Sequence, residues 1–226
     1  MTMCVLVPSR GRPSNIARLA EAWFTTGAEA ELVVLIDSDD PELGGYVGLA
    51  DDYEFTLIAG EPSRIGPILN RHAADYATQY DVVGFMGDDH LPRTEGWDIT
   101  LEAAAGRWGV AYGNDLLQGA NLATAVFIGS GIVGTLGYFV PPGLKHLYFE
   151  SPWMSWGRAL GSLTYLDDVV IEHLHYINGK AEQDDLYREV NDSSMYAHDG
   201  ARWSDYANGG ELADDCARLI AARDAA

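Results

Sequence analysis

Two acidic residues stand side by side in Phe85-Met86-Gly87-Asp88-Asp89-His90, directly after the apolar run over residues 82–86. Adjacent carboxylates repel each other unless a cation or hydrogen-bond donors offset them. A hard divalent ion with oxygen ligands does this and keeps positions open for phosphate oxygens. A helix cap beside a solvated carboxylate is the competing role for the same pair. His90 by itself reads as a loop histidine. Glu172-His173-Leu174-His175 places two histidines at i and i+2, which a strand turns to one face, where both can meet a metal ion or a phosphate. Gly129-Ser130-Gly131-Ile132-Val133-Gly134 matches G-x-G-x-x-G in its letters. A dinucleotide fingerprint opens a long helix, however, and Pro141-Pro142 stops the chain too soon, so the segment is expected to be a tight turn where backbone approaches a ligand. No G-x-x-x-x-G-K-[ST] loop, H-E-x-x-H helix or G-x-S-x-G elbow occurs, which leaves P-loop, zinc-protease and serine-hydrolase chemistry unsupported.

Elements must bring these residues together. Apolar runs predict strands over residues 3–7, 32–36, 53–58 and 82–86. A helix from Pro13 or Ser14 carries Ile16, Leu19, Ala20, Trp23 and Phe24 at helical spacing, and a second carries Ile65, Leu69, Ala73 and Tyr76. Further on, Trp97, Leu101, Ala104 and Ala105 predict a short helix, and residues 110–112, 124–128 and 169–174 predict strands. Ser151-Pro152 opens a helix with Trp153, Trp156 and Leu160. An acidic helical stretch follows Asn178-Gly179, and a terminal helix covers residues 211–222. Strands alternating with helices imply an α/β fold, with a mostly parallel central sheet and helices on both faces. Ligands bind beyond the carboxyl ends of such strands. The polar clusters at 8–12, 37–40 and 87–90 fall at those ends, and parallel strands would gather them on one edge.

The 226 residues carry 34 acidic and 14 basic side chains, a formal charge of −20 and a pI near 4.4. Hydrophobic residues make up 47% and charged ones 21%, which fits one globular domain over 1–226. Scarce Lys and Arg count against duplex DNA or an anionic membrane as the main partner. Cys4 and Cys216 have no metal spacing and are expected to be reduced, buried thiols of a cytoplasmic protein. The start runs straight into an apolar strand, with no basic region or cleavage site of a signal peptide. Residues 116–144 lack charge, but Gly129, Gly131, Gly134, Gly137 and Pro141-Pro142 interrupt them. A buried strand, a turn and a short helix fit them better than a membrane span.

Taken together, Val7-Pro8-Ser9-Arg10-Gly11-Arg12, Ile36-Asp37-Ser38-Asp39-Asp40, Asn70-Arg71 and the Gly87-Asp88-Asp89-His90 cluster resemble family 2-like glycosyltransferases of the GT-A fold over roughly residues 3–180. The small acidic form is most similar to bacteriophage and actinobacterial members. The resemblance implies transfer of a sugar from a nucleotide-diphosphate sugar, with a UDP-sugar favoured, to an acceptor hydroxyl, by inversion. Residues 1–90 would bind the donor, 91–180 would face the acceptor, and 181–226 would be a C-terminal helical extension. Mn2+ or Mg2+ would sit on Asp89, with Asp88 and His173 or His175. Pro8, Ser9, Arg10 and Arg12 would line the donor pocket, with Arg10, Arg12 and Arg71 near the phosphates. Asp37 or Asp39 would accept from base or ribose, and Asn70 would face the same pocket. Glu150 stands where the family's base precedes an acceptor-side helix; a charge favourably placed at a helix N-terminus is the alternative. A strict D-x-D motif would have an acid at Gly87. Trp97, Trp153 and Trp156 would stack on sugars or fill the core. A nucleotidyltransferase and a non-catalytic cation-holding module are the rival functions. Protein or a small glycan is a better acceptor than modified DNA for so acidic a chain, and a phage enzyme would act in the host cytoplasm.

Overall fold

A computed structural model describes residues 2–183 and 185–226. Strand β1 (Met3–Ser9) is flanked by β2 (Glu31–Asp37) and β4 (Val82–Phe85), both parallel to it, and β3 (Thr56–Gly60) continues the sheet beyond β2. On the other side, β7 (Val126–Gly129) runs antiparallel between β4 and β6 (Val110–Asn114). Strand β8 (Leu163–His173) lies parallel to β6, and β5 (His90–Pro92) pairs antiparallel with β8. The order is β3-β2-β1-β4-β7-β6-β8-β5. All strands but β7 and β5 share one direction, so the sheet is mostly parallel, as the alternation of elements predicts.

The strands read as continuous apolar runs because both faces of the sheet are covered. Along β1, Cys4 and Leu6 join one core and Met3, Val5 and Val7 the other. The first core packs against α3 (Ile65–Tyr76), α5 (Ser130–Leu136), α6 (Glu150–Ala159), α8 (Ser193–Asn208) and α9 (Glu211–Asp224). The second packs against α1 (Pro13–Thr25), α2 (Leu43–Tyr53) and α4 (Trp97–Ala105). Trp97, Trp153 and Trp156 are fully buried, so their indoles are core groups rather than open stacking platforms.

Several expectations are corrected. Helix α2 occupies a stretch whose Gly44, Gly45 and Gly48 are weak helix formers, and the buried Tyr46 anchors it. The third strand therefore begins at Thr56 rather than at residue 53. Strand β8 starts at Leu163, earlier than residue 169. Phe24 is 84% exposed, because the buried stripe of α1 ends at Trp23. Cys216 is only half-buried, and both cysteines are free. Residues 116–144 do form a strand and a short helix, and among the described residues no helix is long and apolar enough to cross a membrane. The glycines at 129 and 131 serve packing rather than a ligand. A Cβ there would lie 2.3 and 2.8 Å from the Arg107 carbonyl oxygen.

Candidate active site

Parallel pairing of β1 with β2 and β4 delivers their carboxyl ends to one edge, and the three polar clusters meet there. The Arg12 N–H donates to the Tyr46 hydroxyl (2.8 Å), which lies 2.9 Å from Ser9 Oγ, and Ser9 donates to Asp88 Oδ2 (2.6 Å). Arg10 Nη1 bridges Asp37 (2.7 Å) and Asp39 (2.6 Å). Hydrogen bonding to Arg10 holds the exposed Asp39 below the usual carboxylate range. The other oxygen of Asp37 accepts the Ser63 N–H at 3.0 Å.

The two adjacent carboxylates are shifted in opposite directions. Asp88 is buried and its pKa rises to about 6, first through burial and then through repulsion by Asp89. Its oxygens take Ser9 and Asn15 Nδ2 (3.3 Å), with Arg12 Nη1 3.5 Å away. Burial also pushes Asp89 up, but His173 and His90 outweigh it and hold the carboxyl well below its ordinary value. Asp89 Oδ2 accepts from the Tyr187 hydroxyl (2.5 Å) and lies 3.3 Å from His173 Nε2. Asp89 Oδ1 is 3.2 Å from His90 Nδ1.

That last contact bears on a metal. His90 Nδ1 already accepts the Gly87 N–H at 3.2 Å, and burial together with His173 keeps the ring towards its neutral form. His90 Nδ1 cannot both accept the Gly87 N–H and donate to Asp89 Oδ1, and a cation held between the ring and the carboxylate would remove the conflict. His90 Nε2 and His173 Nδ1 are buried without a partner. Ligand atoms of Asp89, His90 and His173 all lie within 4.8 Å of one another. The donor set of one carboxylate and two imidazoles suits a first-row divalent ion. Gly87 explains the departure from D-x-D: a Cβ there would be 2.6 Å from Asp89 Oδ1. His90, expected to be a loop histidine, thus joins the compact group. His175 falls beyond the end of β8, and its Nδ1 accepts the Ile177 N–H (3.2 Å). Its ring is 5.0 Å from that of His173.

A cavity of about 310 Å³ opens above this edge, and Pro8, Ser9, Arg10, Arg12, Asp37, Asp88, Asp89, Glu150, His173 and His175 all line it. Glu150 is the first residue of α6. Burial raises its pKa, opposed by its own backbone N–H and by His173. Asn70 and Arg71 lie outside that lining. The Asn70 amide holds the backbone of Phe139 and Val140 (2.7–2.9 Å), so it braces a loop. Arg71 donates to the Glu61 carbonyl at 3.2 Å.

Among the lining residues that escaped the sequence are His146, Arg64 and Tyr187. His146 is driven down to about 4 by burial and by Arg64, so it is neutral at ordinary pH. Its loop is fixed by the buried Asp199 of α8, which accepts the N–H groups of Lys145, His146 and Leu147. Arg64, at the start of α3, pairs with Glu189 (2.5 Å). Tyr187, on α7 (Asp185–Val190), caps Asp89 with the Arg12 guanidinium 4.5 Å over its ring. No local motif marks any of them, since each acts across a long stretch of chain.

No protein-family model and no curated protein matches the sequence. Solved structures do. Glucosyl-3-phosphoglycerate synthase from Mycobacterium tuberculosis in complex with UDP superposes with a TM-score of 0.58 at 12% identity, over 96% of this chain and 80% of that one. A protein from Desulfovibrio desulfuricans G20 classed as a nucleotide-diphospho-sugar transferase gives 0.52 at 15% identity, over 92% of this chain and 96% of that one. A Bacillus anthracis protein classed as a glucose-1-phosphate thymidylyltransferase gives 0.52 at 10% identity, over 87% and 99%. At these identities the likeness is one of architecture, and the chain has the GT-A-like fold of nucleotide-diphospho-sugar transferases.

Proposed function

We propose that the chain is a metal-dependent glycosyltransferase that moves a sugar from a nucleotide-diphosphate sugar, with a UDP-sugar favoured, to an acceptor hydroxyl with inversion. The observation that carries this is the presence in one cavity of Glu150 and the Asp89, His90 and His173 group. Asp89 and His173, with His90 or His175, would hold Mn2+ or Mg2+. When bound, such an ion neutralises a diphosphate and stabilises it as a leaving group. Asp88, engaged by Ser9 and Asn15, fixes the Ser9 loop against the sheet edge. Asp37 accepts from base or ribose, and Arg12 adds fixed charge beside the phosphates. Glu150, with its raised pKa, takes the proton of the acceptor hydroxyl.

The mycobacterial synthase was solved with Mn2+ and UDP, which supports the choice of ion and nucleotide. Residues 1–90 would supply the donor side and 91–180 the acceptor side, while the extension over 181–226 adds Tyr187 and Asp199 to the site. A protein or small glycan acceptor suits the net charge better than DNA. Calorimetry on chelator-treated protein tests the donor site: UDP binds in the presence of Mn2+ and not in its absence. If neither UDP nor GDP binds with or without metal, the donor site is wrong. The thymidylyltransferase-class neighbour keeps nucleotidyl transfer in view; release of pyrophosphate from a nucleoside triphosphate would select it over sugar transfer.

A further inference from the structure

A second cavity, of about 500 Å³, adjoins the first at Tyr187. Among the described residues it shares only Arg12, Asp89 and Tyr187 with the first. Its lining is unusual for this chain. Of 14 basic side chains in a molecule of net charge −20, Arg12, Arg18 and Lys180 gather here from the β1–α1 loop, α1 and the segment after β8. Ser14 and Asn15 add a hydroxyl and an amide. Arg18 donates to Asn15 Oδ1 (2.5 Å) rather than to a carboxylate. Lys180 pairs with Glu172 (2.6 Å), which Arg93 also neutralises (2.7 Å). Among the described residues, the carboxylates lining the cavity are Asp89, already shared among His90, His173 and Tyr187, and Glu182.

Arg18 donates to an amide rather than a carboxylate, and Lys180 shares Glu172 with Arg93, so a bound anion would stabilise both cations. We propose that this cavity binds a phosphate group, separately from a nucleotide in the first cavity. The tetrahedral anion would lie between the Arg18 guanidinium and the Lys180 ammonium, with the Ser14 hydroxyl and the Asn15 amide as further donors. The site needs neither metal nor nucleotide, so it stands or falls independently of the donor site proposed above.

Calorimetry on metal-free protein tests it with inorganic phosphate, pyrophosphate and glycerol phosphate. Saturable binding that weakens with salt is expected, and Arg18→Gln or Lys180→Gln weakens it roughly tenfold, the loss of one charge-assisted contact. The double variant abolishes it while binding UDP with Mn2+ as the parent does. Tighter binding of glycerol phosphate than of the inorganic anions identifies a phosphorylated organic ligand, and the reverse order identifies the free anion. Absence of binding by all three, or binding unchanged in the double variant, overturns the proposal. So does complete displacement of the bound anion by saturating UDP and Mn2+, which would place it in the first cavity.

Discussion

Asp88 and Asp89 share a chemistry and are neighbours in the sequence yet are shifted in opposite directions, because different partners reach them from different elements. Asp88 meets β1 and α1, whereas Asp89 meets β5, β8 and α7. Asp89 is the carboxylate grouped with the two imidazoles, and a substitution that displaces it should abolish metal dependence. Gly87→Ala is the most economical such change, since its Cβ would stand 2.6 Å from Asp89 Oδ1 and 3.0 Å from His90 Nδ1. Calorimetric Mn2+ binding should be lost in this variant while its circular dichroism stays native. A variant that retains parental Mn2+ affinity would remove Asp89 from the metal site. Glu150 makes a separate prediction. A base must be ionised to act, and burial raises this one above 4.5, so kcat/KM should fall as pH falls through the raised value. Glu150→Gln should lower kcat by roughly 10²–10⁴-fold, the usual worth of a positioned base, and flatten that acid limb while leaving UDP affinity unchanged.

At the scale of elements, α8 acts on the site through one buried carboxylate. Asp199 receives three backbone N–H groups from residues 145–147 and pairs with His198 at 2.8 Å. Asp199→Ala leaves those amides without their acceptor, and each buried unsatisfied group costs about 1–3 kcal/mol. A net loss of about 3 kcal/mol would lower Tm by roughly 6–12 °C in a domain of this size. Amide exchange at residues 145–147 should quicken with it. The donors hold the Asp199 pKa below 3.8, against opposition from burial. Its contribution is thus present above that value and lost as pH falls through the folded pKa, and the Tm gap between parent and variant should narrow in acid. This tether also shows what was legible in the chain. The parallel strands, the helices at residues 13–25 and 65–76, and the meeting of three polar clusters follow from local periodicity and strand ends. Local pattern misses α2, whose stability comes from burial of Tyr46 rather than from propensity. It also misses His146, Arg64 and Tyr187, because their places depend on contacts with Asp199, Glu189 and Asp89 far along the chain. Asn70 shows the converse: a polar side chain on the right helix turns to a loop backbone once the tertiary structure is known.

Over the whole molecule, the first cavity is assembled from the β1 and β2 ends, α3, the β4–β5 turn, α6, β8 and α7. No single segment contains it, and unfolding any of them dismantles it. A ligand that binds only the assembled cavity must therefore stabilise the entire fold by mass action. Arg10 is taken up by Asp37 and Asp39, so the Asp88 and Asp89 pair disfavours an anionic nucleotide unless a cation is present, and the two ligands should act together. UDP alone should scarcely move Tm, and Mn2+ alone should raise it slightly. Both together, at about a hundred times the dissociation constant, should stabilise the fold by about 2.7 kcal/mol. In a domain of this size that corresponds to roughly 5–10 °C. Differential scanning calorimetry at matched ionic strength measures it, with Gly87→Ala as the control in which the joint increment disappears. Equal increments from UDP with and without Mn2+ would mean that the nucleotide and the metal group do not share the cavity, and the transferase mechanism would fall with that result.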